Sequence, residues 1–203
     1  MHKNHLKKSI FSIIAIILIS IAQQTSSLTI DCDFSNADYS SIGSQYSCIV
    51  SNVQWASIFS SNLKNVTGNN LKSNSDVTAF SLDEKNLQVF PQNLSSFFAN
   101  LNAIRATSAG LKEIRQIDIS SWSQLKYLNL DKNAIESIDE DLFKFNRELI
   151  TILLSGNPIK FIAANIFNDL SKLMDLDLTN NGCINRREIR NKSWLRKNKM
   201  PDF

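Results

Sequence analysis

The chain has 203 residues with 22 basic and 19 acidic side chains, a formal net charge of +3. Its two histidines, His2 and His5, sit at the extreme amino terminus, and it has three cysteines and five glycines. That inventory offers no Ser-His-Asp or Cys-His catalytic group in the body of the chain, no four-thiolate zinc site and no Gly-rich phosphate loop. No enzyme activity, metal or other cofactor is expected.

Met1 to Lys8 is polar and basic, with Lys3, Lys7 and Lys8, and Ile10 to Ala22 is apolar except for Ser12 and Ser20. This run is too short for a bilayer, which needs about 20 residues. It reads as a secretory signal peptide spanning 1–22, cleaved after Ala22, with a site nearer Ser27 as second choice. Cleavage removes both histidines and three lysines and leaves a neutral chain. No later stretch reads as a membrane span, so the mature protein is expected to be secreted and extracellular. The overall basic pI is no argument for a nucleic-acid partner.

Residues 23–76 lack the periodicity that follows and read as an amino-terminal cap over a repeat array. A secreted context and the spacing of Cys32 and Cys48 favour a disulfide over two free thiols. Closing that loop is worth about 3 kcal/mol. A weak match to the repeat register begins at Val53, with Ala56, Ile58, Leu63 and Val66.

From Val77 a unit of constant length recurs without insertion: 77–100, 101–124, 125–148, 149–172 and a partial 173–183. The first, fourth and sixth positions are apolar in every unit, as in Leu125, Leu128 and Leu130. The eleventh position holds Leu87, Leu111, Ile135, Ile159 and Cys183. A column of Asn133, Asn157 and Asn181 should satisfy backbone groups at the turn. Lys85 and Ala109 interrupt it, so the first two units are expected to turn differently. Ile119, Trp122, Phe143, Phe167 and Leu170 supply the apolar side of the returning arc. The pattern LxxLxLxxNxL resembles the leucine-rich-repeat signature. It predicts an α/β-type repeat solenoid, a horseshoe with a parallel concave sheet built from five repeats and the cap.

Side chains alternate along a strand, so third- and fifth-position residues should line the concave face. Arg105, Tyr127, Asn129, Leu153, Asp175 and Asp177 form the candidate binding face there, against the plainer reading of an ordinary solvated sheet. Cys183 is expected to be a free, buried thiol in an apolar slot, with an intermolecular bond as the rival reading. Asn65, Asn93 and Asn191 head Asn-x-Ser/Thr sequons and are candidate glycosylation sites. Residues 184–203 form a basic, helix-compatible tail or minimal cap, solvated or in contact with an acidic surface.

The segments VTGNNLKSNSDV, FFANLNAI, LFKFN and NNGCI resemble those of small secreted leucine-rich-repeat proteins of insects, over roughly residues 30 to 184. The resemblance implies an extracellular binder of a protein or glycan partner, in innate immunity or cell-surface recognition. Many such proteins end in a cysteine-rich cap, of which only Cys183 is present here. Alternatives are a matrix-associated structural protein held by its basic tail, or a truncated receptor ectodomain. The oligomeric state and the ligand are not legible.

Overall fold

The computed structural model describes residues 27–55, 62–69, 72–163 and 165–189. The expected signal segment, Asn191 and residues 190–203 lie outside them. Strands β1 (Leu28–Tyr39) and β2 (Gly43–Trp55) form a long antiparallel hairpin. Its inner face buries Leu28, Ile30, Cys32, Cys48 and Val50. Cys32 and Cys48 are joined in a disulfide across the pair, with Cα atoms 5.1 Å apart. Strand β3 (Leu63–Thr67) runs parallel to β1 on the outer edge, and its exposed Asn65 carries the first sequon.

Each repeat then contributes one short strand: β4 (Ala79–Ser81), β5 (Ala103–Arg105), β6 (Tyr127–Asn129), β8 (Thr151–Leu153) and β10 (Asp175–Asp177). Neighbouring strands pair in parallel at a constant offset of one repeat, as Phe80, Ile104, Leu128 and Ile152 show. The residues at first, fourth and sixth positions of all five units are at most 2% exposed. They stack as continuous columns because one unit alone cannot cover its own apolar side.

The outer arcs are built from tight turns rather than helices. The described residues contain one short helical turn, Gln116–Ile119, and 3-10 turns at Asn74–Asp76 and Leu94–Ser96. Ile119, Trp122, Phe143, Phe167 and Leu170 are buried on this side as expected. Between them β7 (Ser137–Ile138) and β9 (Phe161–Ile162) pair as a second, two-stranded parallel sheet. Exposed ion pairs also join units: Lys160 with Glu136 at 2.8 Å, and Lys172 with Glu148.

The two ends depart from the sequence reading. Val53 begins no repeat, because it pairs antiparallel with Ile30 inside the hairpin. The strand beside β4 is instead the Ser47–Ile49 part of β2, which precedes β4 by more than one repeat length. At the other end Arg187–Ile189 forms β11, an antiparallel strand on β10, at the start of the tail whose composition allows a helix. The open edge of β10 presents unpaired backbone groups, and a strand satisfies them where a helix would not. The main sheet thus has nine strands in the order β11-β10-β8-β6-β5-β4-β2-β1-β3.

Candidate binding face

The hairpin strands are far longer than a repeat strand, and only the Ser47–Ile49 portion of β2 pairs with β4. The tip beyond Ser47 therefore overhangs the sheet. Six residues at about 3.3 Å each reach roughly 20 Å, close to four strand spacings of about 4.8 Å. The tip uses that reach. Tyr39 lies over Ala79 and Ala103 and meets the Tyr127 ring edge-to-face at 5.2 Å between centroids. Farther along, the Thr151 hydroxyl donates to Ser41 Oγ at 2.7 Å. Ile42 and Leu153 pack beside this cluster.

The third-position row is accordingly covered. Ala79, Ala103, Tyr127 and Thr151 are buried, and so is Tyr39 itself at 1% exposure. This corrects the expectation of an open Tyr127 anchor: the ring faces the concave side, but the chain's own tyrosine occupies the space before it. Burial raises the phenol pKa of both Tyr39 and Tyr127, so both remain neutral hydroxyls at physiological pH.

The fifth-position row is internally paired. Arg105 Nε donates to Asp83 Oδ2 at 2.6 Å and to Ser81 Oγ at 3.2 Å, with its guanidinium carbon 5.9 Å from the Tyr39 ring centroid. Asn129 is buried and accepts the Asp131 amide at 2.9 Å. Asp175 and Asp177 are no free acidic patch, because Arg187 of β11 donates to Asp175 through Nε and Nη2 and reaches Asp177 at 3.4 Å. The Arg187 pKa is raised by its hydrogen bond to Asp175.

A seventh-position row, which the sequence pattern does not single out, borders these residues: Asp83, Thr107, Asp131, Ser155 and Thr179, all half-buried. Asp83 and Asp131 accept the backbone amides of Thr107 and Ser155, each in the next unit. Burial, with Asp177 nearby, holds the Asp131 pKa above the usual carboxylate range. The strip left open to solvent beside the tip is thus polar: Asp83, Arg105, Asp131, Ser155, Thr179, Asp175 and Arg187, with Leu153 its apolar member.

The asparagine column bonds to backbone groups at the turn. Asn133 Nδ2 donates to Ala106 O and Leu130 O, while its Oδ1 accepts the Leu111 amide. Asn157 repeats this with Leu130, Leu154 and Ile135. Asn181 keeps the donor half, to Leu154 and Leu178. A second polar ladder lies outside the signature: buried Asn146 donates to Ile119 O and Trp122 O, one unit after Trp122 Nε1 donates to Phe98 O. Its twenty-second position, shared with Trp122 and Leu170, is the signal that could have found it.

Cys183 is free but exposed, a correction to the buried slot. Earlier eleventh-position residues are covered by the next unit, whereas the chain after Cys183 reverses into β11. It borders a shallow cleft with Lys160, Phe161, Ile162 and Ile184. Asn93, the second sequon, is exposed on the outer arc, where its Nδ2 donates to Asn62 Oδ1 at 3.1 Å.

Residues 123–183 match the family described as "Leucine rich repeat". Over 96 residues the chain is 34% identical to the "Probable glycoprotein hormone G-protein coupled receptor" of Anthopleura elegantissima, covering 47% of this chain and 10% of the receptor. Among solved structures, the TLR13–ssRNA13 complex aligns with a TM-score of 0.50 at 20% identity, over 59% of this chain and 18% of that one. The fold is a leucine-rich-repeat solenoid. The internalin InlF of Listeria monocytogenes aligns at a TM-score of 0.41 and 19% identity, over 59% of this chain and 42% of that one. The chain spans about a tenth of the length of the receptor it matches. Among the described residues, no helix is long and apolar enough to cross a membrane. Stacked repeats of this kind form one extended concave face.

Proposed function

We propose that the protein is a secreted, extracellular, non-enzymatic binder that recognises a protein or glycan partner through the open polar strip of its concave sheet. The observation that carries this reading is the strip itself. Arg105, Asp131, Ser155, Thr179, Asp175 and Arg187 lie in rows fixed by the strand register, and each is held by a neighbour rather than left mobile. Preorganised polar groups on a rigid face lose little freedom on binding. Innate-immune or cell-surface recognition is the setting this suits, and the Cys32–Cys48 disulfide supports an oxidising compartment.

The test is capture of a partner from extracellular fluid by the mature chain, beginning near Gln23. Arg105→Glu combined with Asp175→Lys should abolish capture, while Lys144→Glu on the outer arc should leave it unchanged. Loss on the outer arc with retention on the strip defeats the reading. The likeness to a probable hormone receptor favours a second reading, in which the chain is the ligand-binding part of a cell-surface receptor. Recovery of the native protein in the membrane fraction, rather than in the medium, selects that reading.

A further inference from the structure

The seat of Tyr39 has the make-up of a receptor for an aromatic side chain. Its floor is Ala79 and Ala103, small residues on which the ring packs, and its wall is the Tyr127 ring. Arg105 stands beside it with a guanidinium 5.9 Å from the seated ring, held in place by Asp83 and Ser81. An apolar floor, an aromatic edge and a fixed cation favour a π-system over an aliphatic side chain.

What fills the seat is lightly tethered. Between the tip and the repeats the described contacts are side-chain ones: Tyr39 on Ala79, Ala103 and the Tyr127 ring with Arg105 beside it, the Ser41–Thr151 hydroxyl pair, and the packing of Ala37, Ile42 and Leu153 against that cluster. The backbone bond from Thr78 N to Tyr46 O lies at the root of the overhang, where β2 joins the sheet. Among the described residues, the Tyr39 hydroxyl has one long contact, 3.5 Å, to Ser47 Oγ. Lifting the tip would break these side-chain contacts and leave the parallel sheet below it intact, because the β2–β4 pairing holds the root on the repeats and the disulfide holds the two hairpin strands together.

We infer that this seat is a binding pocket for a tyrosine-like side chain presented by a protein partner, and that Tyr39 is its resident competitor. This rests on the concave-face reading above and gives it a partner chemistry: a loop or hairpin with an exposed aromatic residue, whose entry displaces the tip. A competitor that occupies the seat most of the time lowers apparent affinity by the fraction of chains that stand open. Removing it should raise that affinity by the same factor.

The probe is N-acetyl-tyrosinamide, with N-acetyl-leucinamide and N-acetylglucosamine as controls, followed on the methyl resonances of Ala79 and Ala103 in the full mature chain. With Tyr39→Ala, N-acetyl-tyrosinamide should shift both methyls saturably at millimolar concentration, and at least tenfold more weakly in the unaltered chain. Leucinamide should act weakly in both. Absence of a saturable shift in folded Tyr39→Ala, equal responses in the two chains, or a response to the sugar alone each overturns the proposal. A second variant guards against misfolding. Ser41→Cys with Thr151→Cys, oxidised across an existing hydroxyl contact, should abolish the residual response of the unaltered tip. A locked chain that responds as the unlocked one does also overturns it. The titration uses no partner. Failure of the partner-capture test would therefore defeat the proposed function and leave this result standing.

Discussion

In the third, fourth and fifth repeats a carboxamide holds the corner after the strand, from Asn133, Asn157 and Asn181. The first two repeats have Lys85 and Ala109 there. The Leu87 amide, whose counterparts Leu111 and Ile135 bond to an asparagine Oδ1, is accepted by the Ala109 backbone carbonyl at 2.7 Å. Bringing a carbonyl to that place requires a second backbone reversal. All five units have a left-handed residue at the eighth position: Glu84, Ser108, Lys132, Gly156 and Asn180. The two units without asparagine add another at the tenth, Asn86 and Gly110. One backbone need is met by a side chain in one region and by conformation in the other.

The comparison has consequences that differ in size. The apolar columns run unbroken through both regions, so Ile104→Ala and Leu128→Ala should each cost about 2–5 kcal/mol in urea unfolding. A much smaller loss at Ile104 would show that the early units pack loosely, making the corner a symptom of a weaker core. Asn133→Ala should cost about 3 kcal/mol, since it strands two buried carbonyls and one amide at about 1–3 kcal/mol each, partly relieved by relaxation. Ala109→Asn is expected to destabilise as well, because the site is buried and already carries its carbonyl. Rescue there would mean the two corners are interchangeable.

Glycine substitutions sharpen the contrast at lower energies. At Gly110, with φ +74, a Cβ would stand 2.5 Å from Asn86 Oδ1 and 3.2 Å from its Cα. Gly110→Ala should lower stability by about 2–3 kcal/mol, combining left-handed strain with crowding against Asn86. Gly156 has φ +71 but only ordinary contacts, the nearest 3.4 Å away, and its position carries side chains in the other four units. Gly156→Ala should cost about 1–2 kcal/mol, and equal losses at both glycines would remove the distinction.

The smallest effect concerns pH. Asp131 has its folded pKa raised, first by burial. Its charged form is therefore less stable in the fold than in the open chain, a penalty present near neutrality and relieved as pH falls through the folded pKa. Asp131→Asn should match or exceed the unaltered protein at pH 7, with the gap closing towards pH of about 4. Carboxylates with depressed pKa, such as Asp31 held by Thr67 and Glu136 held by Lys160, are common to both proteins and cancel in the difference. A gap that widens on acidification defeats this assignment.

The columns and the asparagine corner are legible in the sequence because they depend on neighbours at a fixed spacing. The place of Tyr39 is not, because it depends on the length of a hairpin and the direction of its overhang. Ala79 and Ala103 open the third-position row, and their small size is the trace of a covering group; taken alone, it describes an open surface. Cys183 shows the limit of register. Its spacing assigns it to the core, but burial at that position comes from a following unit, and here the chain turns back as β11. Composition places Arg187 in a basic tail, whereas in the fold it neutralises Asp175 and Asp177.

The asparagine bonds have a direction. Asn133 completes Ala106 and Leu111 of the unit before it, and Asn157 does the same for Leu130 and Ile135. During synthesis each corner is therefore unfinished until a further full repeat has been made. At about 5–20 residues per second that interval is roughly one to a few seconds. Loop closures and local turns form far faster than that. A solenoid cut after any of these repeats would therefore leave its last corner short of the asparagine that closes it.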